Sequence, residues 1–157
     1  MFARVIAAAT SLSSDPVAVE IAIVVPLYNE ADNVDPLVDE LTRVFAPVPA
    51  PWEIVLVDDG SRDGTWDRIR ARAASDKRVR GLRHEGNRGQ SAAVWTGLTG
   101  TEARLLCTLD GDLQNDPSEL PVMLGMLGDS LDFVCGHRVE RQDRKSTRLN
   151  SSHSSVS

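Results

Sequence analysis

Asp110 and Asp112 flank a single glycine directly after an apolar run, residues 105–109. In extended backbone, side chains two residues apart project to the same side, so the two carboxylates are expected to converge on one point. Such a pair repels itself, and one pKa rises, unless a cation sits between the two acids. Oxygen ligands alone suit a hard divalent ion, Mg²⁺ or Mn²⁺, with phosphate and water completing the shell. Gln114 continues the two-residue register toward the ion's water or the phosphates, and Asn115 and Asp116 lead into Pro117 as a turn and helix start. Paired loop carboxylates also occur simply solvated; the position after a core strand argues for the cation.

A second acidic group, Asp58 and Asp59, ends another apolar run. Adjacent side chains on a strand point to opposite faces, so one of the two is expected to face a cleft, where it can accept from a base N–H or a ribose hydroxyl. The alternative is that Asp59 or Asp63 caps the following turn and helix. Gly60 and Gly64 make this loop tight enough for close backbone approach. His84, His137 and His153 show no ligand spacing and are read as structural or exposed. Trp52, Trp66 and Trp95 are expected in the core rather than as sugar platforms.

These groups need a scaffold, and the apolar pattern supplies one. Residues 21–26 and 53–57 are continuous β-branched and aliphatic runs, the signature of strands buried on both faces. Val34, Leu37, Val38, Leu41 and Phe45 repeat at helical spacing, with Pro36 expected in the first turn. Weaker helical stripes cover 65–74 and 91–98, a helix fits 117–127, and short strands fit 79–83, 105–109 and 131–135. Strands alternating with helices imply an α/β fold whose mostly parallel sheet carries helices on both faces. In such sheets ligands bind beyond the carboxyl ends of the strands, beside the topological switch point, and there the polar motifs fall.

With 157 residues the chain is about one domain long. A net charge of −6 and a pI of 5.0 argue against nucleic acid as a partner and against basic attachment to anionic lipid. An acidic phosphate binder therefore needs a bridging cation or a few placed arginines; Arg138 and Arg141, with Arg144, are the clustered cations near the sheet end, although they also suit a solvated strand end. No apolar stretch approaches the roughly 20 residues that span a bilayer, so no anchor is expected within this sequence. Cys107 and Cys135 are read as buried free thiols in a reducing cytoplasm. Residues 1–19 are expected to be a loose leader and 20–144 the folded domain. Residues 145–157, with six serines in the last twelve positions, are expected to be a disordered or non-native tail on a domain cut short.

Five segments carry a resemblance: VVPLYNEADNV (24–34), IVLVDDGSRDGT (54–65), NRGQSAAVWTGL (87–98), TLDGDLQNDPSELP (108–121) and FVCGHRVERQD (133–143). In order and spacing they resemble the family 2 glycosyltransferases, most of all the dolichol-phosphate mannosyltransferase and undecaprenyl-phosphate glycosyltransferase group. The resemblance implies a GT-A (Rossmann-like) fold, a nucleotide diphosphosugar donor and an inverting displacement. It implies that Pro26, Tyr28, Glu30 and Asp58, with Asp59 beside them, surround the nucleotide. By the same resemblance Asp110, Asp112 and Gln114 form the metal and phosphate site, and Arg138 meets a donor or acceptor phosphate.

A hydroxyl acceptor would need a general base, and the matched motifs offer no convincing His or Glu. A polyprenyl phosphate removes the need, because a phosphate monoester with a second pKa of about 6 is already anionic at neutral pH. The expected partners are thus a nucleotide diphosphosugar and a polyprenyl phosphate, and the expected place is the cytoplasm, peripheral at the cytoplasmic membrane. Two rivals stand beside this reading: transfer to a saccharide or peptide hydroxyl by a base in a missing portion, and an inactive donor-binding fragment, since family members continue past residue 143 with further helices and a second arginine. A dinucleotide oxidoreductase is disfavoured, because no GxGxxG follows the first strand and no P-loop occurs.

Overall fold

The computed structural model describes residues 4–7, 19–127 and 132–136. Among these residues six strands form one sheet: β1 (Arg4–Ala7), β2 (Ile21–Leu27), β3 (Trp52–Asp58), β4 (Val79–Arg83), β5 (Leu105–Thr108) and β6 (Phe133–Cys135), in the spatial order β4-β3-β2-β5-β1-β6. Four helices connect or follow them: α1 (Ala31–Phe45), α2 (Thr65–Ser75), α3 (Gln90–Thr99) and α4 (Glu119–Met126). β4, β3, β2 and β5 are mutually parallel, as the uninterrupted apolar runs predict.

Every residue of β2 and β3 is buried, and the strand alternation deals their side chains to two layers. Ile21, Ile23, Val25, Leu27, Ile54 and Leu56 meet the five expected α1 residues, Ile69 of α2, and Leu120 and Met123 of α4. On the opposite face Ala22, Val24, Val55 and Val57 meet Ala93 of α3. The small residues there let α3 lie close to the sheet, and helices thus cover both faces.

From β2 the chain steps outward through β3 to β4, and α3 then crosses back to place β5 on the other side of β2. The direction reverses between β2 and β5, which makes the gap beyond their carboxyl ends the switch point.

Two expectations change. Part of the supposed leader is a strand: β1 pairs antiparallel with β5 (Arg4↔Thr108 to Ala7↔Leu105) and with β6 (Arg4↔Cys135 to Ile6↔Phe133). Four residues are too few to show a period, and their partners lie about a hundred residues away. Pro36 stands in the second turn of α1, not the first, because the helix begins at Ala31. That start is held from outside the helix: Ala31 N donates to Asp63 Oδ2 at 3.1 Å and Glu30 N to Thr65 Oγ1 at 2.9 Å. Residues 145–157 lie outside the described residues.

Candidate active site

A cleft of ≈ 390 Å³ opens at the switch point. Pro26, Tyr28 and Glu30 line it from the end of β2, Asp59 from the end of β3, and Asp110, Gly111 and Asp112 from the turn after β5. Asn87, Gly89, Gln90 and Ala93 complete it from the start of α3 and the loop before it. Among the described residues four lining side chains are carboxylates and none is Lys or Arg, so a diphosphate entering here would need a cation to offset that charge.

Asp110 is half-buried, and its Oδ1 accepts from Gln90 Nε2 at 2.7 Å, while Asn115 Nδ2 approaches Oδ2 at 3.5 Å. Asp112 is exposed, and its Oδ1 accepts from the Gln114 amide at 3.0 Å. That bond is an Asx turn, with Leu113 at a φ of 59°. The backbone therefore leaves the extended register after Asp112, and Gln114 is exposed and absent from the cleft lining. The register argument that grouped Gln114 with the acids fails at this point, because a local side-chain-to-amide bond replaces strand backbone. Gly111 is required by close approach: a Cβ there would lie 2.3 Å from Leu27 Cδ2 and 3.2 Å from Pro26 O.

Asp58 and Asp59 divide their tasks in a way the sequence left open. Asp58 is fully buried and does not line the cleft; its Oδ1 accepts from Ser61 N at 3.0 Å, and its Oδ2 lies 3.1 Å from Arg83 Nε without hydrogen-bond alignment. Asp59 reaches the cleft wall, but its oxygens accept from the amides of Arg88 (2.9 Å) and Gly89 (2.8 Å) and face His84 Nδ1 at 2.7 Å. Burial pushes its carboxyl pKa up, and these three donors outweigh that and hold it below the usual value. Asp63 closes the turn before α2, whose cap position is Gly64: its Oδ1 accepts from Thr65 N at 3.0 Å and from Thr65 Oγ1 at 2.6 Å.

Tyr28 is 45% exposed at the rim. The turn after it is locked to the β3 loop, since Asn29, at a φ of 54°, donates its amide to Ser61 Oγ at 2.8 Å and accepts from Arg62 N at 2.9 Å. Glu30 accepts a short hydrogen bond from Asn33 Nδ2.

Asn87, Gly89, Gln90 and Ala93 are cleft residues to which the sequence reading assigned no role, although all lie inside the NRGQSAAVWTGL segment. His84 is buried and hydrogen-bonded at both ring nitrogens rather than exposed. Trp95 is not core, being 67% exposed on α3, and Cys135 is exposed rather than buried. Both departures follow from α3 and β6 having one open face, which an apolar run does not reveal. Cys107 is buried, which pushes its thiol pKa up to about 12. Arg138 and Arg141 lie outside the described residues.

Among the described residues no cluster of three or more His, Cys, Asp or Glu side chains is spaced to hold a metal unaided. Asp110 and Asp112 offer hard oxygen donors and no imidazole or thiolate, a set that fits Mg²⁺ or Mn²⁺ sharing its shell with phosphate and water. None of the described helices is long and apolar enough to cross a membrane.

Residues 22–155 match the sequence profile of Glycosyl transferase family 2, a span that runs into the serine-rich segment. The chain is 39% identical over 134 residues to dodecaprenyl-phosphate galacturonate synthase of Rhizobium johnstonii, covering 83% of this chain and 40% of that protein. It is 33% identical over 125 residues to undecaprenyl-phosphate 4-deoxy-4-formamido-L-arabinose transferase of Salmonella choleraesuis, covering 79% and 38%. The chain thus spans about two fifths of the length of these relatives. Among solved structures it resembles a mannosyltransferase from Pyrobaculum calidifontis in complex with GDP-Man and Mn²⁺ (TM-score 0.51, 25% identity, 63% of this chain and 31% of that one). It also resembles glucosyl-3-phosphoglycerate synthase from Mycobacterium tuberculosis in complex with UDP (TM-score 0.55, 25% identity, 68% and 39%). The architecture is that of the GT-A glycosyltransferases.

Proposed function

The chain belongs to glycosyltransferase family 2, and from that premise we propose that it forms the donor-binding part of an inverting hexosyltransferase that uses a nucleotide diphosphosugar and a polyprenyl phosphate. The observation that carries the reading is the placement of Asp110 and Asp112 at the switch-point cleft, in a lining that is acidic among the described residues. These two carboxylates would hold Mg²⁺ or Mn²⁺. When bound, the ion would act as a Lewis acid that offsets the negative charge growing on the departing diphosphate.

The chain's own residues shape the rest. Gln90 orients the Asp110 carboxylate through its side-chain amide. Pro26, Tyr28 and Glu30 form the wall on which the nucleoside is expected to lie, with Tyr28 exposed at the rim as a stacking surface. Asp58 acts from behind, shaping the loop through Ser61. Glu30 accepts from the Asn33 side-chain amide, and among the described residues the cleft lining contains no His, which supports an acceptor that is already anionic. The names of the two curated relatives, both acting on polyprenyl phosphates, support the same acceptor and hence a place at the cytoplasmic membrane surface. Arg138 and Arg141 are proposed to meet the phosphates.

Thermal unfolding with UDP-glucose and GDP-mannose, each with and without Mn²⁺, tests the reading. A ligand at 100 times its Kd stabilises the folded state by about 2.7 kcal/mol. One donor class is expected to stabilise the chain with Mn²⁺ and to lose that effect on chelation and in Asp110→Ala/Asp112→Ala. Donor stabilisation indifferent to divalent ions, or intact in the double variant, would overturn the proposal.

A further inference from the structure

The carboxylate of Asp59 takes three donors from the protein, His84 and the amides of Arg88 and Gly89. Because an ionised carboxylate only accepts, His84 Nδ1 carries a proton and donates to Asp59 Oδ1 at 2.7 Å. The other ring nitrogen, Nε2, meets the Thr96 hydroxyl at 2.8 Å. Asp59 and His84 are 3% and 6% exposed, so these bonds form away from competing water and are correspondingly firm. The two Asp59 oxygens also take the amides of Arg88 and Gly89, the last two residues before α3. Gly60 closes the arrangement: its φ is +75°, and a Cβ there would lie 2.5 Å from the carbonyl carbon of Gly86. The loop before α3 is thus fastened to the end of β3 at several points. The next residue is Gln90, whose amide reaches Asp110.

We infer that Asp59, His84 and Thr96 are positioning residues for the ion site: they hold the loop before α3 so that Gln90 orients the Asp110 carboxylate. None of the three needs to touch donor or ion. The inference rests on the reading of Asp110 and Asp112 as the ion's ligands. Groups that orient a metal ligand from outside commonly change metal affinity 10- to 100-fold when removed, whereas a purely structural role would lower stability without a selective effect on the ion.

The test is calorimetric titration of Mn²⁺ in the presence of excess UDP and, in parallel, GDP, for the wild type, His84→Ala, His84→Asn, Gln90→Ala and the double variant His84→Ala/Gln90→Ala. The two single alanine variants are each expected to weaken Mn²⁺ binding by about tenfold. The double variant should be no weaker than either, because both act through one contact. The side-chain amide introduced by His84→Asn can replace the Nδ1 donor, so this variant is expected to recover most of the affinity although it too lacks the imidazole ring. Unchanged affinity in His84→Ala, independent effects that multiply in the double variant, or His84→Asn as weak as His84→Ala would each overturn the inference while leaving the functional proposal standing. If His84→Ala does not fold, Thr96→Val takes its place in the same cycle. Wild-type protein that takes up no Mn²⁺ with either nucleotide would instead remove the functional proposal, and this inference with it.

Discussion

Asp59 and Asp110 are the same residue type at the ends of β3 and β5, the two strands that flank β2, yet their surroundings give them different chemistry. Asp59, at the cleft wall, takes donors from His84, Arg88 and Gly89, whereas Asp110 takes the side-chain amides of Gln90 at Oδ1 and Asn115 at Oδ2 and lines the cleft beside Asp112. What separates the two acids of the pair is Gly111, and its lack of a side chain is a packing requirement. Gly111→Ala would drive a methyl against Leu27, itself 1% exposed, at 2.3 Å. Overpacking of this kind costs about 1–3 kcal/mol. Urea unfolding is expected to show that loss, and Mn²⁺-dependent nucleotide binding should weaken more than stability alone explains, since the turn carrying both acids must shift. A variant with wild-type midpoint and affinity would show that the turn has slack.

At the scale of elements, the loop after β3 organises the site by tying three segments together. It binds the end of β2 through Ser61, the start of α1 through Asp63 and the loop before α3 through Asp59. For Asp63, as for Asp59, burial raises the pKa, and the donors, Thr65 and Ala31 for Asp63, outweigh it. Both carboxyls sit below their ordinary value of 3.8. A carboxyl lowered by folding contributes stability that is complete above its unfolded value and is lost as pH falls below 3.8 toward the folded value. Urea midpoints measured from pH 6 down to pH 3 are therefore expected to fall mostly at the acid end, and Asp63→Asn should show a smaller fall than the wild type. An equal fall in both proteins would remove Asp63 from the acid response.

On the scale of the whole molecule, the sheet has a parallel body and an antiparallel margin. β4, β3, β2 and β5 carry the cleft, and β1 is inserted between β5 and β6. Deleting residues 1–18 would expose the edge of β5 and leave β6 without its recorded partner, and exposed edges invite association. A lower thermal midpoint and concentration-dependent aggregation are expected, with Mn²⁺-dependent nucleotide binding retained, because the cleft draws no residue from β1 or β6. Loss of nucleotide binding at a temperature where the truncated chain is still folded would show that the margin supports the cleft directly.

Signals that repeat along the chain were legible in the sequence. The buried runs of β2 and β3, the five apolar positions of α1 and the polar clusters at the strand ends together dictated a parallel α/β sheet with a polar cleft at the switch point, since strand and helix periods are properties of consecutive residues. The tertiary structure alone decided which side chains remain available in the cleft. Asp59 is turned inward by amides 29 and 30 residues away, Gln114 is turned aside by an Asx bond at Asp112, and Gln90 arrives at Asp110 because α3 crosses the sheet. Hydrogen-bond partners and open faces depend on chain segments meeting in space, and no local period encodes where distant segments meet.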